Sequence, residues 1–380
     1  MKKIVKSLSL LALLPVLSLG VTSCGSEEKV KDVKTAASKV SESIAATPTV
    51  YKQKAEKADF FSLKAAASVN VDEQIYDSNS SMTAQLVVNP DFFVELTKEE
   101  PNINNLTLVD SMYFNAKSYS TDGKSEDTTF IEVGVYDDVA YGHSKIESTG
   151  MDTEEVKNKF VGVNDWIKNL IQENLPTIQT DDVISTPIDN NVLTVLYALE
   201  PATLAWLSEE ITSETYVDTI GQLIISTDPE AATQFNTLKP LITNIADIAR
   251  TNINTLFEIK GDERSFSITN DTSKTKAFLN SLATYANEQA AKTEGTEAIL
   301  APFYGQIGTM LTEAVKEVPT YSVTLSLSFK DKAIVGFGFD VSFSNETTSI
   351  KANLSFEVLF EKIKVEQMTD LDQYIIPEFE

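Results

Sequence analysis

Residues 323–360 read VTLSLSFKDKAIVGFGFDVSFSNETTSIKANLSFEVLF, and this stretch decides the fold. Large apolar residues alternate with small or polar residues in three runs, which the turn-like segments 331–332 and 344–346 separate. Alternation with a period of two places every second side chain on the same face of a β-strand. Because short turns join the runs, we predict an antiparallel meander with one apolar face and one polar face.

The same alternation occurs near the start of the chain. Residues 61–71 and 82–88 carry apolar side chains at every second position, and the polar cluster 77–80 between them predicts a turn. Residues 112–116 and 130–136 repeat the pattern over shorter stretches. These runs predict further strands of the same sheet.

The middle of the chain changes to a period of 3.6 residues, which predicts several amphipathic helices between residues 163 and 318. Trp166 and Trp206 fall on these helical patterns, so both are predicted to be core residues. Strands and helices come in blocks, which disfavours a parallel sheet. We therefore predict an α+β fold in residues 58–365, a single domain in which a large, curved antiparallel sheet forms an incomplete barrel with helices packed on its apolar face.

The amino-terminal segment has the three parts of an export signal. Lys2, Lys3 and Lys6 form a basic start, and residues 8–19 form an apolar stretch that is too short to span a bilayer permanently. The segment ends in the sequence Val-Thr-Ser-Cys at residues 21–24. Basic start, apolar middle and small-residue end together predict that the chain is exported.

The tetrapeptide at residues 21–24 resembles the bacterial lipobox, in which an aliphatic residue and two small residues precede a cysteine. The resemblance implies cleavage between Ser23 and Cys24, a diacylglyceryl thioether on the Cys24 sulfur, and a fatty chain such as palmitate on the new amino terminus. Cys24 is the only cysteine in 380 residues, so an internal disulfide is excluded. The alternative is an ordinary cleavable signal followed by a chance cysteine.

The lipobox resemblance sets the expected organisation of the remaining chain. Residues 1–23 would be a lipoprotein signal peptide, and residues 24–57 a lipidated cysteine with a polar tether, because that stretch has few large apolar residues. Residues 366–380 are predicted to be an acidic C-terminal tail. Two acyl chains bind a bilayer stably, so we expect a protein held by lipid on the cell membrane or the outer membrane.

The charge of the chain disfavours some partners. The chain carries 31 Lys and Arg residues against 56 Asp and Glu residues, a net charge of −25. Removal of residues 1–23, which hold three lysines and no acid, takes this net charge to −28. Nucleic acids are bound by neutralising phosphates with Lys and Arg, so no nucleic acid is expected as a partner. Peripheral binding to anionic lipid heads is disfavoured for the same reason.

Catalytic and metal-binding motifs are absent from the sequence. His143 is the single histidine and is predicted to lie in a loop, and one histidine cannot supply a two-histidine metal site. Neither a Gly-x-Ser-x-Gly elbow nor a Gly-rich phosphate loop occurs. We therefore expect no catalytic residues, no metal and no cofactor, and a protein that is not an enzyme.

A lipobox, a tether, long amphipathic strands and helices against one sheet face together resemble the LolA/LppX-like group of lipid-handling lipoproteins. The resemblance covers roughly residues 58–365 and implies an apolar cavity between sheet and helices. Such a cavity could hold acyl chains or another hydrophobic ligand. Its sheet side would be lined by Phe337, Phe339, Phe343, Phe356 and Phe360.

Two functions are consistent with this pattern. The first is a non-enzymatic, membrane-anchored binding or carrier protein with an apolar cavity. The alternative is a structural or protein-interaction lipoprotein in which the same aromatic residues fill a packed core, because apolar stripes are usually core. Its protein partners are not identified by the sequence.

Replacement of Cys24 tests the predicted anchor. In Cys24→Ala the nucleophilic sulfur is lost, so the product should carry no lipid and should leave the detergent-rich phase in a detergent phase separation. Ser26→Ala is the matched control and should stay lipidated. Intact-mass measurement of the native product should show a chain that begins at Cys24 and carries acyl groups; an unmodified thiol there would contradict the prediction.

Overall fold

The computed structural model describes residues 30–91, 95, 106–178, 201–227, 231–292, 294 and 297–377. Eleven strands form one large antiparallel sheet that is not closed into a barrel, and helices accompany it. The predicted α+β fold with a large antiparallel sheet is confirmed. The strand order is β6-β5-β4-β3-β2-β1-β11-β10-β9-β8-β7, with the strands numbered along the chain.

The described secondary structure has the following bounds. The strands are β1 (Phe61–Glu73), β2 (Tyr76–Val88), β3 (Val109–Thr121), β4 (Glu126–Tyr136), β5 (Val139–Ser148), β6 (Glu154–Val161), β7 (Glu258–Gly261), β8 (Ser265–Asp271), β9 (Thr320–Lys330), β10 (Ala333–Ser344) and β11 (Thr348–Leu359). The helices are α1 (Val33–Ala55), α2 (Val163–Ile178), α3 (201–207), α4 (Ser213–Thr227), α5 (Ala232–Leu256), α6 (Thr272–Ala290) and α7 (Glu297–Glu317). A 3₁₀ turn follows at Leu371–Gln373.

The chain divides into two compact units. The first unit comprises Met1–Thr47 and Ser185–Leu325, and the second unit comprises Pro48–Ile184 and Ser326–Glu380. These boundaries differ from the single domain predicted for residues 58–365. The two units are considered one at a time below.

Helices form the core of the first unit. Leu241 of α5, Ala286 of α6 and Tyr304 of α7 are buried against one another. Asp271 caps α6, because its carboxylate accepts a hydrogen bond from the backbone N–H of Lys274 at 2.9 Å. Trp206 lies in the core, as predicted, and its indole N–H donates to the Ser213 hydroxyl at 3.0 Å.

The predicted polar tether is wrong for residues 30–55, because Val33–Ala55 is the helix α1. Val33, Ala36, Ala37 and Val40 are buried. These residues recur every three or four positions, so they form a helical stripe of small side chains that needs no large apolar residue. Residues 24–29 of the predicted tether, together with the signal, Ser23 and Cys24, lie outside the described residues.

The second unit contains most of the sheet, and two of its hairpins have tight two-residue turns. The predicted turn at 331–332 is confirmed, and both residues have positive φ, as do Asp137 and Asp138 between β4 and β5. Two consecutive left-handed residues match the twist of the flanking strands. The predicted turn at 77–80 is wrong, because β2 begins at Tyr76 and pairs with both β1 and β3 through this polar cluster.

Residues 366–377 of the predicted acidic tail are part of the folded second unit. Val365, Met368 and Tyr374 are buried against Val87 and Tyr113 of the sheet. The Tyr136 hydroxyl fixes the same segment, since it donates to the Glu366 carbonyl at 2.9 Å and accepts from the Met368 N–H at 3.0 Å. The acidic composition of the tail did not indicate this packing, because the buried residues Met368 and Tyr374 stand among charged and polar ones.

The tail also protects one edge of the sheet. The backbone N–H of Lys159 in β6 donates to the Ile375 carbonyl at 2.8 Å, and Asn158 and Ile375 form a parallel bridge. Unpaired backbone groups on an edge strand invite association with other strands. Ile375 therefore satisfies part of the edge that β6 would otherwise present to solvent.

Truncation of Tyr374 tests the structural role of the tail. Tyr374→Ala removes a buried aromatic ring and should lower the free energy of unfolding of the second unit by about 3 kcal/mol. Ile376→Ala, two residues later at an exposed position, is the control and should change it by less than about 0.5 kcal/mol. Urea unfolding of both variants measures the difference, and equal stability of the two would show that the tail is not docked.

Candidate functional site

Antiparallel pairing in the second unit aligns apolar residues of eight strands on one face of the sheet. Residues directly opposite each other in neighbouring strands share a face. Phe337 of β10 lies opposite Phe356 of β11, which lies opposite Ala65 of β1, which in turn lies opposite Ala84 of β2. We call the surface built from such rows the apolar face.

Three rows make up the centre of the apolar face. The first row is Phe337, Phe356, Ala65, Ala84, Phe114, Val133, Gly142 and Asn158. The second row is Phe339, Leu354, Ala67, Met82, Ala116, Ile131, Ser144 and Val156. The third row is Val358, Leu63, Leu86, Met112, Val135, Ala140 and Phe160. None of these residues is charged.

Much of the apolar face is open to solvent. Phe356 is 41% exposed, Leu354 is 43% exposed and Ile131 is 41% exposed, whereas Val135 and Val358 of the third row are buried. A contiguous apolar surface that stays accessible to water is uncommon on a folded domain and is typical of binding surfaces.

Small side chains in the middle of the rows create a depression that we call the central trough. Ala67 and Ala116 of the second row line it, and the next row along the strands adds the small residues Ser80, Ser118 and Thr129. The space has a volume of about 320 Å³. It is lined by residues 67–69, 80–82, 116–118, Thr129 and Ile131.

A second depression, the edge trough, lies where the tail meets the sheet. Its volume is about 450 Å³. It is lined by Val133, residues 140–142, 158–161 and 376–377. The last two residues come from the docked tail, so the tail forms one wall of this trough. Both troughs are open to solvent.

The five phenylalanines predicted to line a cavity are placed in two groups. Phe337, Phe339 and Phe343 lie on the apolar face of β10, and Phe356 lies opposite Phe337. Phe360 follows β11 and packs edge-to-face against other aromatic rings, Tyr51 and Phe61, with ring centroids 5.2 and 5.1 Å away. None of the five lines either trough.

The residues that line the troughs were missed as site residues by the sequence interpretation. Ala67, Met82 and Ile131 were recognised, at most, as strand residues with a period of two. The register that brings them side by side joins positions far apart in the chain, and no local pattern encodes it. Alternation did give the correct face for β1, β2, β10 and β11.

The opposite, polar face carries a chain of interacting side chains across β3 to β6. His143 lies in β5 and not in the predicted loop, and its Nε2 is hydrogen-bonded to Glu155 Oε1 at 2.9 Å. The hydrogen bond from His143 lowers the pKa of the Glu155 carboxyl below its usual value. The Tyr113 hydroxyl donates to Glu132 at 2.8 Å, and burial raises the pKa of Tyr113. These contacts tie neighbouring strands together on the face opposite the troughs.

Burial also affects the aromatic cluster around Phe360. The Tyr51 hydroxyl donates to the Ile334 carbonyl at 2.9 Å, and burial raises the pKa of Tyr51 to about 12. Tyr51, Phe61 and Phe360 therefore form a structural cluster that holds the end of α1 against the sheet of the second unit.

Within the described ranges, no three His, Cys, Asp or Glu side chains are grouped so that they could hold a metal ion. In the same part of the chain, no helix combines the length and the apolar character needed to cross a bilayer. No family model matches this chain, and no curated protein is significantly similar to it.

Proposed function

We propose that this protein is an exported lipoprotein, held on a membrane through Cys24, that binds a hydrophobic ligand on its apolar face without catalysing a reaction. The ligand class is a lipid acyl chain or a molecule of similar shape. The observation that carries the proposal is the accessible apolar face with its two troughs. The anchor rests on the lipobox-like sequence at residues 21–24.

The chemistry of the apolar face fits a hydrocarbon ligand. Its three rows contain no charged residue, and the polar residues among them are few, chiefly Asn158 and Ser144. A ligand with many hydrogen-bonding groups would leave those groups unpaired against this surface, at a cost in free energy. An acyl chain loses no hydrogen bonds there and gains about 0.8 kcal/mol for each CH₂ group removed from water.

The volumes of the troughs are also suitable. Small-molecule sites typically have volumes of about 300–1,000 Å³, and the central and edge troughs measure about 320 and 450 Å³. Both lie on the same sheet face, and Val133 of the edge trough neighbours Phe114 and Ala116 of β3. A chain-like ligand that runs across the strands could therefore contact both.

The accessible centre of the face supports this function over the alternative of a fully packed core. Phe337, Leu354 and Phe356 would be buried in a packed core, and all three are more than a third exposed. Exposure of such residues destabilises the unliganded protein in water, and a bound ligand would remove that cost. A protein partner that covers the face remains the competing occupant.

A pair of neighbouring substitutions tests ligand binding. Met82 lines the central trough, whereas Thr83 lies on the opposite face of the same strand and is exposed. Met82→Asp places a carboxylate that must be desolvated beneath the ligand, so we expect at least a roughly tenfold loss of affinity for a fluorescent fatty acid. Thr83→Asp adds the same charge and should bind as the parent protein does.

The experiment uses the chain from residue 24 with Cys24→Ala, so that the covalent lipid does not compete. Circular dichroism should confirm that both variants are folded. Organic extraction of the protein after incubation with membrane lipids, followed by mass spectrometry, should recover lipid from the parent and from Thr83→Asp. Empty extracts and no fatty-acid binding by the parent would refute the carrier function, and a dominant protein crosslink in cells would then favour the interaction protein.

A further inference from the structure

The basic residues of the second unit's sheet are confined to one of its faces. Strands β1 to β6, β10 and β11 contain six lysines and no arginine. All six belong to rows of the polar face: Lys64, Lys117, Lys145, Lys157, Lys159 and Lys351. The charged residues in the regular rows of the apolar face are all acids, namely Glu73, Asp127 and Glu154. The apolar face of these eight strands therefore offers no cation to a ligand.

Lys117 forms part of the wall of the central trough, but its charge lies on the other side of the sheet. Its Nζ is 5.5 Å from the centre of the Phe130 ring. Phe130 packs edge-to-face against the imidazole of His143 on the polar face, with ring centroids 5.1 Å apart. Lys117 therefore contributes its backbone, and not its ammonium group, to the trough.

The turns next to the central trough do not supply the missing cation. Four turns lie at that end of the sheet: residues 74–75, 122–125, 149–153 and 345–347. Together they hold one lysine and three acids, a net charge of −2. These residues are Lys124, Asp122, Asp152 and Glu346. Strands and turns therefore both make the surroundings of the central trough acidic.

Basic residues at the opposite end of the apolar face lie far from the central trough. Lys54 of α1 is paired with Asp331 at 2.5 Å, and its Nζ is 5.8 Å from the centre of the Phe360 ring. Lys330 lies over the same ring at 6.0 Å. Phe360 stands six residues beyond Leu354 of the second row, about 20 Å along the strand direction. These ammonium groups are therefore too distant to pair with a ligand group in the central trough.

Hydroxyl groups take the place of apolar groups at one side of the central trough. Ser80 of β2 lies opposite Ser118 of β3, which lies opposite Thr129 of β4, and all three line the trough. One row further from the second row, Ser78 lies opposite Ser120. All five side chains are half-buried. We call these five residues the hydroxyl cluster.

Most of the hydrogen-bonding capacity of the hydroxyl cluster is not used by the protein. The Ser80 hydroxyl donates to the Ser118 hydroxyl at 3.2 Å. Among the residues that the structure describes, the hydroxyls of Ser78, Ser120 and Thr129 have no hydrogen-bond partner. Each hydroxyl is a donor as well as an acceptor. The cluster therefore suits the hydroxyl and carbonyl groups of an uncharged ligand, and it cannot neutralise a charged one.

An anionic end group would be bound poorly beside the hydroxyl cluster. A carboxylate or phosphate in the central trough would lose water without gaining a cation, and burial of an unpaired charge costs more than burial of an uncharged polar group. Asp127 lies opposite Ser120 and adds repulsion between like charges. An uncharged end group exchanges its hydrogen bonds with water for hydrogen bonds with the cluster, so it avoids both costs.

We propose that the apolar face selects an uncharged acyl ester that carries free hydroxyl groups, of the monoacylglycerol class. Its polar end binds Ser80, Ser118 and Thr129, and its acyl chain lies on the first two rows. This inference rests on the proposed function and adds to it the class of end group that the ligand carries. A fatty acid binds the same face through its chain, with lower affinity.

Competition between ligands that share one acyl chain tests this selectivity. The experiment uses the chain from residue 24 with Cys24→Ala and Nile red, an uncharged fluorescent dye, as the probe. Monolauroylglycerol should displace the dye at a concentration at least about tenfold lower than laurate does, because the carboxylate has no cation to pair with. Stronger displacement by dodecylamine than by monolauroylglycerol would assign the selectivity to Asp127 and Glu154 and overturn the role of the hydroxyl cluster.

Two adjacent threonines on opposite faces of β4 provide matched variants. Thr129→Val removes one hydroxyl of the cluster with little change of shape, so affinity for monolauroylglycerol should fall roughly fivefold while affinity for laurate stays within about twofold. Thr128 lies on the polar face, opposite Tyr119 and Glu147. Thr128→Val should therefore change neither affinity. Equal effects of the two substitutions would overturn the proposal, because general hydrophobicity alone would then explain the preference.

A cation placed in the hydroxyl cluster should reverse the selectivity. Thr129→Lys supplies the missing partner for a carboxylate, so the affinity for laurate relative to monolauroylglycerol should rise at least about tenfold. Thr128→Lys adds the same charge to the polar face and should leave the ratio unchanged. Circular dichroism checks that both variants are folded, and Thr129→Val remains the decisive variant if the lysine is not tolerated.

The same measurements separate this proposal from the binding function on which it rests. If laurate and monolauroylglycerol displace the dye equally well, the selectivity for an uncharged end group is wrong and binding of hydrophobic ligands stands. If neither Nile red nor a fluorescent fatty acid binds, the carrier function is wrong, and the selectivity is overturned with it.

Discussion

Strand register is the constraint on which the rest of this structure depends. Along each strand of the second unit apolar and polar side chains alternate, so a shift of one residue in any pairing would move a set of apolar side chains to the other side of the sheet. The observed register keeps Phe356, Ala65, Ala84 and Phe114 in one row. The pairing thereby separates the sheet into a face whose three central rows hold no charged residue and a face that carries His143 and its carboxylate partners.

The two faces of the sheet differ in how far other parts of the chain cover them, and this difference explains where a ligand can bind. The polar face is occupied in part by the chain itself, because the tail packs on Tyr113 and is hydrogen-bonded to Tyr136. The apolar face keeps its central rows accessible, with alanines where a core would place larger side chains. A surface that can be filled reversibly needs this combination of rigid backbone support and unfilled volume. The tail contributes to both, since its last described residues also form a wall of the edge trough.

Local patterns in the sequence predicted the secondary-structure elements better than the packing and exposure of the residues in them. Alternation identified the meander of β9 to β11, and the turn at 331–332 was predicted correctly, because both signals are contained within a few residues. The burial of helix α1 was not predicted, since its buried stripe consists of Val and Ala and resembles a linker in composition. The troughs could not be predicted, because the central trough arises where β1, β2, β3 and β4 lie side by side and the edge trough where β4, β5, β6 and the tail meet. The prediction that Trp166 is a core residue is wrong, because its side chain is 56% exposed. The signal and Cys24 lie outside the described residues and stay predictions.

The position of β1 in the sheet has a consequence for how the chain acquires its structure. β1 pairs with β2 on one side and with β11 on the other, and the Ser62 hydroxyl donates to the carbonyl of Glu361, a residue 299 positions later. β1 is therefore synthesised long before β11, its second neighbour, exists. High contact order of this kind slows folding. The sheet cannot be completed before β11 has been synthesised, and until then one long edge of β1 has no native partner, which makes the nascent chain vulnerable to aggregation at that strand.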